Sequence, residues 1–163
     1  MIILVFGLPA TGKTYFSEAL AEAIEARHLN TDMLRHRLGK QGRYDPETKQ
    51  LVYEKLLEKV KDFLNRDLDV VVDGTFHLRK RRGQLKKIAR DSGRDIHYIL
   101  LRASENTVRK RLQKRREYSE ADLKVYKQIA IGFEPVEEDH LELWSDKESL
   151  QNMIEKAKAH ING

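Results

Sequence analysis

The chain has 163 residues, 31 Lys or Arg against 26 Asp or Glu, a formal charge of +5 and no cysteine. That length suits one domain, 1–163, around one core, and 40% hydrophobic with 35% charged residues describes a soluble globular protein rather than a disordered one. Disulfides, thiolate metal sites and thiol nucleophiles are excluded. No run approaches membrane-spanning length, and the first apolar stretch is too short and lacks the basic flank of a secretion signal, so the expected location is cytoplasmic.

Ile2–Phe6 reads as a strand, and Gly7-Leu8-Pro9-Ala10-Thr11-Gly12-Lys13-Thr14 follows it directly. This run fits G-x-x-x-x-G-K-[ST] between a strand and a helix, the setting in which backbone N–H groups cradle phosphates. Gly7, Pro9, Ala10, Thr11, Gly12, Lys13 and Thr14 are the expected nucleotide-binding residues. Lys13 reaches the β- and γ-phosphates, and the Thr14 hydroxyl ligates Mg²⁺.

Phe16, Ala19, Leu20, Ala23 and Ile24 recur at helical spacing and predict a helix to about Arg27. A very short strand at His28-Leu29-Asn30 leads to Thr31-Asp32, either of which caps a helix through Met33, Leu34 and Leu38. Residues 39–46 form a loop, and Glu47 to Arg66 a long helix with its stripe at Val52, Leu56, Val60, Phe63 and Leu64. Residues 69–74 read as a buried central strand ending in Asp73-Gly74. A basic helix from Arg79 to Asp91 and a strand from Ile96 to Leu101 follow.

Ser104 opens a helix to about Arg116 whose only apolar points are Val108 and Leu112, too thin a stripe for a core helix and suited to a mobile lid over about 104–118. Ser119-x-x-Asp122 reads as a capping box ahead of Leu123, Tyr126 and Ala130. His140–Trp144 reads as a fifth, edge-like strand. Ser145-x-x-Glu148 then caps a last helix packed by Leu150, Met153, Ile154 and Ala157. Alternating strands and helices give an α/β fold with a parallel sheet.

Phosphoryl transfer needs positioning and charge neutralisation more than covalent chemistry. Asp73, at the carboxyl end of a parallel strand, stands where such sheets place ligands and is the expected Mg²⁺ partner, the alternative being a turn or cap. Asp32, at the end of the second strand, can orient an acceptor hydroxyl and take its proton, or simply cap a helix. Arg35, one turn on, can grip an anionic group of the acceptor. Arg111 and Arg115 share a helix face at i, i+4 and can close over the transferring phosphoryl group, or form a solvated charge run. Tyr118, His77, His97 and His140 read as packing or surface residues.

Taken in order, Gly7–Thr14, Asn30–Arg35, Val70–Phe76, Arg109–Arg116, Ser119–Asp122, Gln128 and Phe133-Glu134-Pro135 resemble the small P-loop kinases related to the phage polynucleotide 5′-kinase domain, zeta toxins and chloramphenicol phosphotransferase. The likeness is strongest to a kinase module often fused to aminoglycoside-phosphotransferase-like domains, and covers residues 1 to 136. It implies a P-loop NTPase α/β/α sandwich, adenylate-kinase-like with a helical lid, using ATP and Mg²⁺. It further implies Asp32 as general base, Arg35 on substrate phosphate, Arg111 and Arg115 as lid arginines, and Asp73 as the acidic position after the third strand. Met33 stands where polynucleotide kinases carry a second acid, so the acceptor is left open between a small molecule and a nucleic-acid end. The other function to weigh is a nucleotide-dependent regulatory module, RNA-associated through the basic 79–90 face.

Overall fold

The computed structural model describes residues 1–114 and 120–163, and of 120–122 the backbone alone. Arg115, Arg116, Tyr118 and the Ser119 cap lie outside the described residues. The elements run β1 (Ile2–Phe6), α1 (Lys13–Ala23), β2 (Arg27–Asn30), α2 (Thr31–Arg37), α3 (Pro46–Asn65), β3 (Val70–Gly74), α4 (Arg79–Asp91), β4 (Ile96–Arg102), α5 (Glu105–Gln113), α6 (Glu120–Ile131), β5 (Leu141–Trp144) and α7 (Leu150–Asn162). Five parallel strands pair in the order β2-β3-β1-β4-β5, as the α/β reading expects. No helix among the described residues is long and apolar enough to cross a membrane.

The pleat of β1 divides the core. Ile2, Leu4 and Phe6 face α3 and α4, meeting Val52, Leu56, Val60 and Leu85, while Ile3 and Val5 face α1 and α7, meeting Phe16, Leu20, Met153 and Ile154. Every residue of β1 is fully buried, which is why the strand reads as an unbroken apolar run rather than an alternating one. Both faces are covered, so the sheet is the middle of three layers, and its carboxyl edge gathers the loops after β1, β2 and β3.

Four local expectations need correction. The first helix ends at Ala23, not near Arg27, because Glu25 takes the left-handed region (φ 55°) and Ala26 N–H returns to Ala21 O at 2.8 Å. The α2 cap is neither Thr31 nor Asp32 but Asn30, whose side chain accepts from Asp32 N–H and Met33 N–H. The last helix is capped by Ser149, since Ser145 is held elsewhere. The thin stripe of α5 is fully used: Val108 and Leu112 are buried in a third cluster with Tyr126, Leu8 and Ala10, so α5 packs onto the phosphate loop.

The largest fully buried side chain is Arg82. Its guanidinium donates to Phe76 O at 3.0 Å, His77 O at 3.3 Å and Pro135 O at 2.7 Å, lies 3.5 Å from Glu138, and rests on the Phe6 ring. Arg79 on the same turn pairs with Glu137, so the segment 134–138 is stapled to the start of α4. Tyr98, buried beside the same group, has its phenol pushed up to about 12 by desolvation, with the Glu138 charge adding to it. One of the carbonyls that Arg82 holds belongs to Phe76, whose φ of 42° is costly for a bulky side chain, about 1–3 kcal/mol. Arg82→Ala should therefore destabilise the fold by about 3–5 kcal/mol, the scale for removing one partner of a buried ion pair. Urea unfolding read by circular dichroism checks this.

Candidate functional site

The phosphate loop takes its shape from two glycines. Gly7 has φ 150°, and a Cβ there would stand 2.2 Å from Leu101 O, so no side chain fits where β1 passes β4. Gly12 has φ 91° and precedes α1 without a side-chain cap, which leaves the first-turn amides of α1 to the loop mouth. Ala10 is also left-handed, at φ 60°. Leu8 O accepts from Thr11 Oγ1 at 2.9 Å and from Lys13 Nζ at 2.7 Å, which draws the loop and its ammonium together. Turned amides, a helix start and a lysine form an anion cradle of the kind phosphates occupy.

Asp73 ends the apolar run of β3 at 1% exposure, and three side chains answer its carboxylate. Asn30 Nδ2 donates to Oδ1 at 2.6 Å, Thr14 Oγ1 lies 3.3 Å from the same oxygen, and His28 Nε2 meets Oδ2 at 2.5 Å. Asn30 Nδ2 also reaches Thr14 Oγ1, at 3.1 Å. Asn30 thus works at both ends: its Nδ2 serves the carboxylate, and its Oδ1 caps α2 through Asp32 N–H at 2.7 Å and Met33 N–H at 3.0 Å. A hydroxyl oxygen and a carboxylate side by side are hard donors of the type Mg²⁺ takes when phosphates complete its shell. No group of three His, Asp or Glu converges as a metal cage among the described residues.

Beyond Asn30, α2 displays Asp32 and Arg35. Asp32 is 74% exposed and pairs with Arg35, which is buried and stacks on the Tyr44 ring at 4.5 Å. On the other side of the loop, Arg111 donates to Ala10 O at 3.1 Å and to Ser145 Oγ at 3.0 Å, and Ser145 Oγ donates to Thr11 O at 2.7 Å. The next residue, Asp146, accepts from Ser104 N–H at 2.9 Å and Thr107 Oγ1 at 3.0 Å at the start of α5. These bonds, Ser104 first, hold its carboxyl down at about 2. The phosphate loop, α5 and the β5–α7 turn are one linked unit. A cavity of about 390 Å³ opens beside it, bounded by Leu8, Thr11, Tyr126, Phe133 and Trp144.

The expected residues therefore fall into two groups. Gly7–Thr14, Asp73 and Arg111 meet around the loop, whereas Asp32 and Arg35 pair on α2, joined to the first group through Asn30. Arg115 lies outside the described residues. Four contributors were not anticipated: His28, Asn30, Ser145 and Asp146. His28 and Asn30 stand at i, i+2 on the strand, one face of β2, and that spacing was the available signal. For Ser145 and Asp146 no signal existed, because their partners lie 134 and 42 residues away.

A family described as AAA domain (AAA_33) matches residues 2–136. The L-seryl-tRNA(Sec) kinase of Methanococcus maripaludis is 28% identical over 120 residues, 68% of this chain and 44% of that protein, so the chain spans less than half of that relative's length. Among solved structures, the Mycobacterium tuberculosis APS kinase in complex with AMPPNP and APS shares the fold at TM-score 0.73 and 16% identity, covering 99% of this chain and 97% of that one. Kti12 of Chaetomium thermophilum in complex with ADP-AlF3 does so at 0.72 and 18%, covering 100% of both.

The double duty of Asn30 is testable. Asn30→Asp keeps a capping oxygen but sets a second carboxylate against Asp73, and two facing carboxylates must share a proton. A carboxyl raised on folding stabilises only in acid, so the melting temperature of the variant should fall further below wild type as pH rises from about 4 to about 8. Asp146 has the opposite sign: its folded value is depressed from 3.8 to about 2, so its contribution is present above 3.8 and lost as pH falls toward 2. Asp146→Asn should flatten the acid limb of a stability–pH curve over that window.

Proposed function

The chain belongs to the AAA domain family, and from that premise we propose that it is an ATP-dependent phosphotransferase moving the γ-phosphate of ATP to a hydroxyl of a small molecule or a nucleic-acid end. The observation that carries this reading is Asp32. A nucleotide switch needs the phosphate loop and Asp73 alone. Here a carboxylate is also displayed outward, two residues past the side chain that holds Asp73, and it is not the helix cap. Such a group accepts a hydrogen bond from an acceptor hydroxyl, turns its oxygen toward the phosphorus, and takes the proton late as the new P–O bond forms and the bond to ADP breaks.

Lys13 and the loop amides bind the donor phosphates, and Arg111, fixed on the loop backbone, adds positive charge on the opposite side. Thr14 and Asp73 would hold Mg²⁺, which supplies charge neutralisation at the phosphate oxygens. Arg35 holds Asp32 in place and presents the remaining guanidinium edge to the acceptor. The relatives named as kinases support this reading. The regulatory reading through the 79–90 face has less support, because Arg79 and Arg82 are paired with Glu137 and Glu138 within the chain.

Transfer of labelled γ-phosphate by Asp32→Asn and Lys13→Ala is the test. Asp32→Asn should keep nucleotide affinity within a few fold and cut transfer by about a hundredfold, the usual scale for losing a general base. Its stability should fall by no more than about 1 kcal/mol, the worth of an ion pair whose carboxylate is exposed, since Asn30 carries the cap. Lys13→Ala should lose nucleotide binding and transfer together. Wild-type transfer by Asp32→Asn would overturn the proposal.

A further inference from the structure

The acceptor side of the molecule has a cation that the scheme above does not use. Within one turn of α4, Arg79 meets Glu137 and Arg82 meets Glu138, but the Arg81 guanidinium has no carboxylate partner among the described residues. It sits over the Tyr53 ring, 4.2 Å from the centroid, and donates to the neutral Gln50 Oε1 at 2.8 Å and Gln84 Oε1 at 3.4 Å. Tyr53 is wedged edge-on against the ring of Phe76 at 5.4 Å, and Phe76 directly follows Asp73-Gly74-Thr75.

Burial pushes the Tyr53 phenol up. The Phe76 ring and the Thr31 methyl both close over Gly74, so Tyr53 and Phe76 link Arg81 to the first turn of α2, which carries Asp32 and Arg35. Arg35 completes the group. It is 7% exposed, its Nε is buried without a partner, and its ion pair with Asp32 takes only Nη1.

We propose that Arg81, backed by Arg35, is an anion subsite of the acceptor pocket, so that the acceptor carries a phosphate or carboxylate besides the hydroxyl to be phosphorylated. The inference rests on the kinase reading and deepens it. Arg35 is already balanced by Asp32, which leaves Arg81 as uncompensated charge on this wall. The contact with Tyr53 and the two amide oxygens hold its guanidinium in place, so less freedom is lost when it binds an anion in two-point fashion. Asp32 then holds the hydroxyl while Arg81 holds the anionic end, and a neutral alcohol would leave that guanidinium without its counter-charge.

Two measurements test this separately from the kinase reading. In the first, the protein is loaded with AMPPNP and Mg²⁺ to fill the phosphate loop, then titrated with inorganic phosphate while arginine Nε–H resonances are followed. One saturable site is expected, weakened roughly tenfold in Arg81→Gln, partly kept in Arg81→Lys and unchanged in Lys80→Gln on the exposed face of the same helix. Absence of a saturable site, or equal binding in Arg81→Gln, overturns the subsite, and so does equal weakening by Lys80→Gln, which would mean diffuse charge.

The second measurement compares transfer to matched acceptors: a nucleoside with its 3′-monophosphate, a polyol with its carboxylate, and an oligonucleotide 5′-hydroxyl end. Preference for the anionic member, with KM for it raised roughly tenfold in Arg81→Gln and KM for ATP unchanged, supports the proposal. The free monophosphate and the oligonucleotide separate the two sources of such an anion. Preference for the neutral member overturns the subsite while leaving the kinase standing. Loss of all transfer with the phosphate site intact overturns the kinase reading and, with it, the assignment of this anion to an acceptor.

Discussion

The carboxylate of Asp73 has to be satisfied where water does not reach it, and much of the site follows from that requirement. A buried charge without partners costs several kcal/mol, so the chain brings three side chains to it from two other elements. Thr14 comes from the first turn of α1, and His28 and Asn30 from one face of β2. Meeting this demand fixes the start of α1 against β3, the register of β2, and, through the other end of the Asn30 amide, the first turn of α2. The α2 pair Asp32 and Arg35 is therefore positioned by the same group that stands beside the phosphate loop.

A second set of bonds does the corresponding work across the loop. Ser145 and Arg111 hold the carbonyls of Ala10 and Thr11, and Asp146 holds the start of α5. Carbonyls engaged on the outside leave the loop amides facing inward, which is the polarity an anion needs. The apolar stripe of α5 closes the arrangement by packing Val108 and Leu112 near Leu8 and Ala10. The groups around the phosphate loop and the Asp32–Arg35 pair thus hang from different helices, with the β1–β3 pair as their common support.

What the sequence made legible follows from the range of the interactions. The phosphate loop, the five strands and the end of β3 at Asp73 are local patterns, and they stand where expected. Asp32 and Arg35 pair with each other because one helical turn joins them. The cap was misplaced by one or two residues because Asn30, Thr31 and Asp32 all cap well, and only the contact with Asp73 decides among them. The stripe of α5 looked thin because two apolar residues suffice when their partners come from the loop after β1. The basic run at 79–82 was weighed as part of an RNA-facing surface, and no local pattern shows that Arg79 and Arg82 pair with the segment 134–138, more than fifty residues away.

That last pairing bears on the order in which the molecule assembles. The left-handed turn at Phe76 is held from outside by Arg82, whose other partners are the carbonyls and carboxylate of residues 134–138. A chain emerging from the ribosome can form β1, α1 and β3 well before those residues exist. Until they arrive, the turn at Phe76 has no reason to keep its strained conformation. The phosphate loop is local and early, whereas the Phe76 turn is completed only when a distant segment docks. A nascent or truncated chain would therefore have its phosphate loop formed before the turn after Asp73 was fixed.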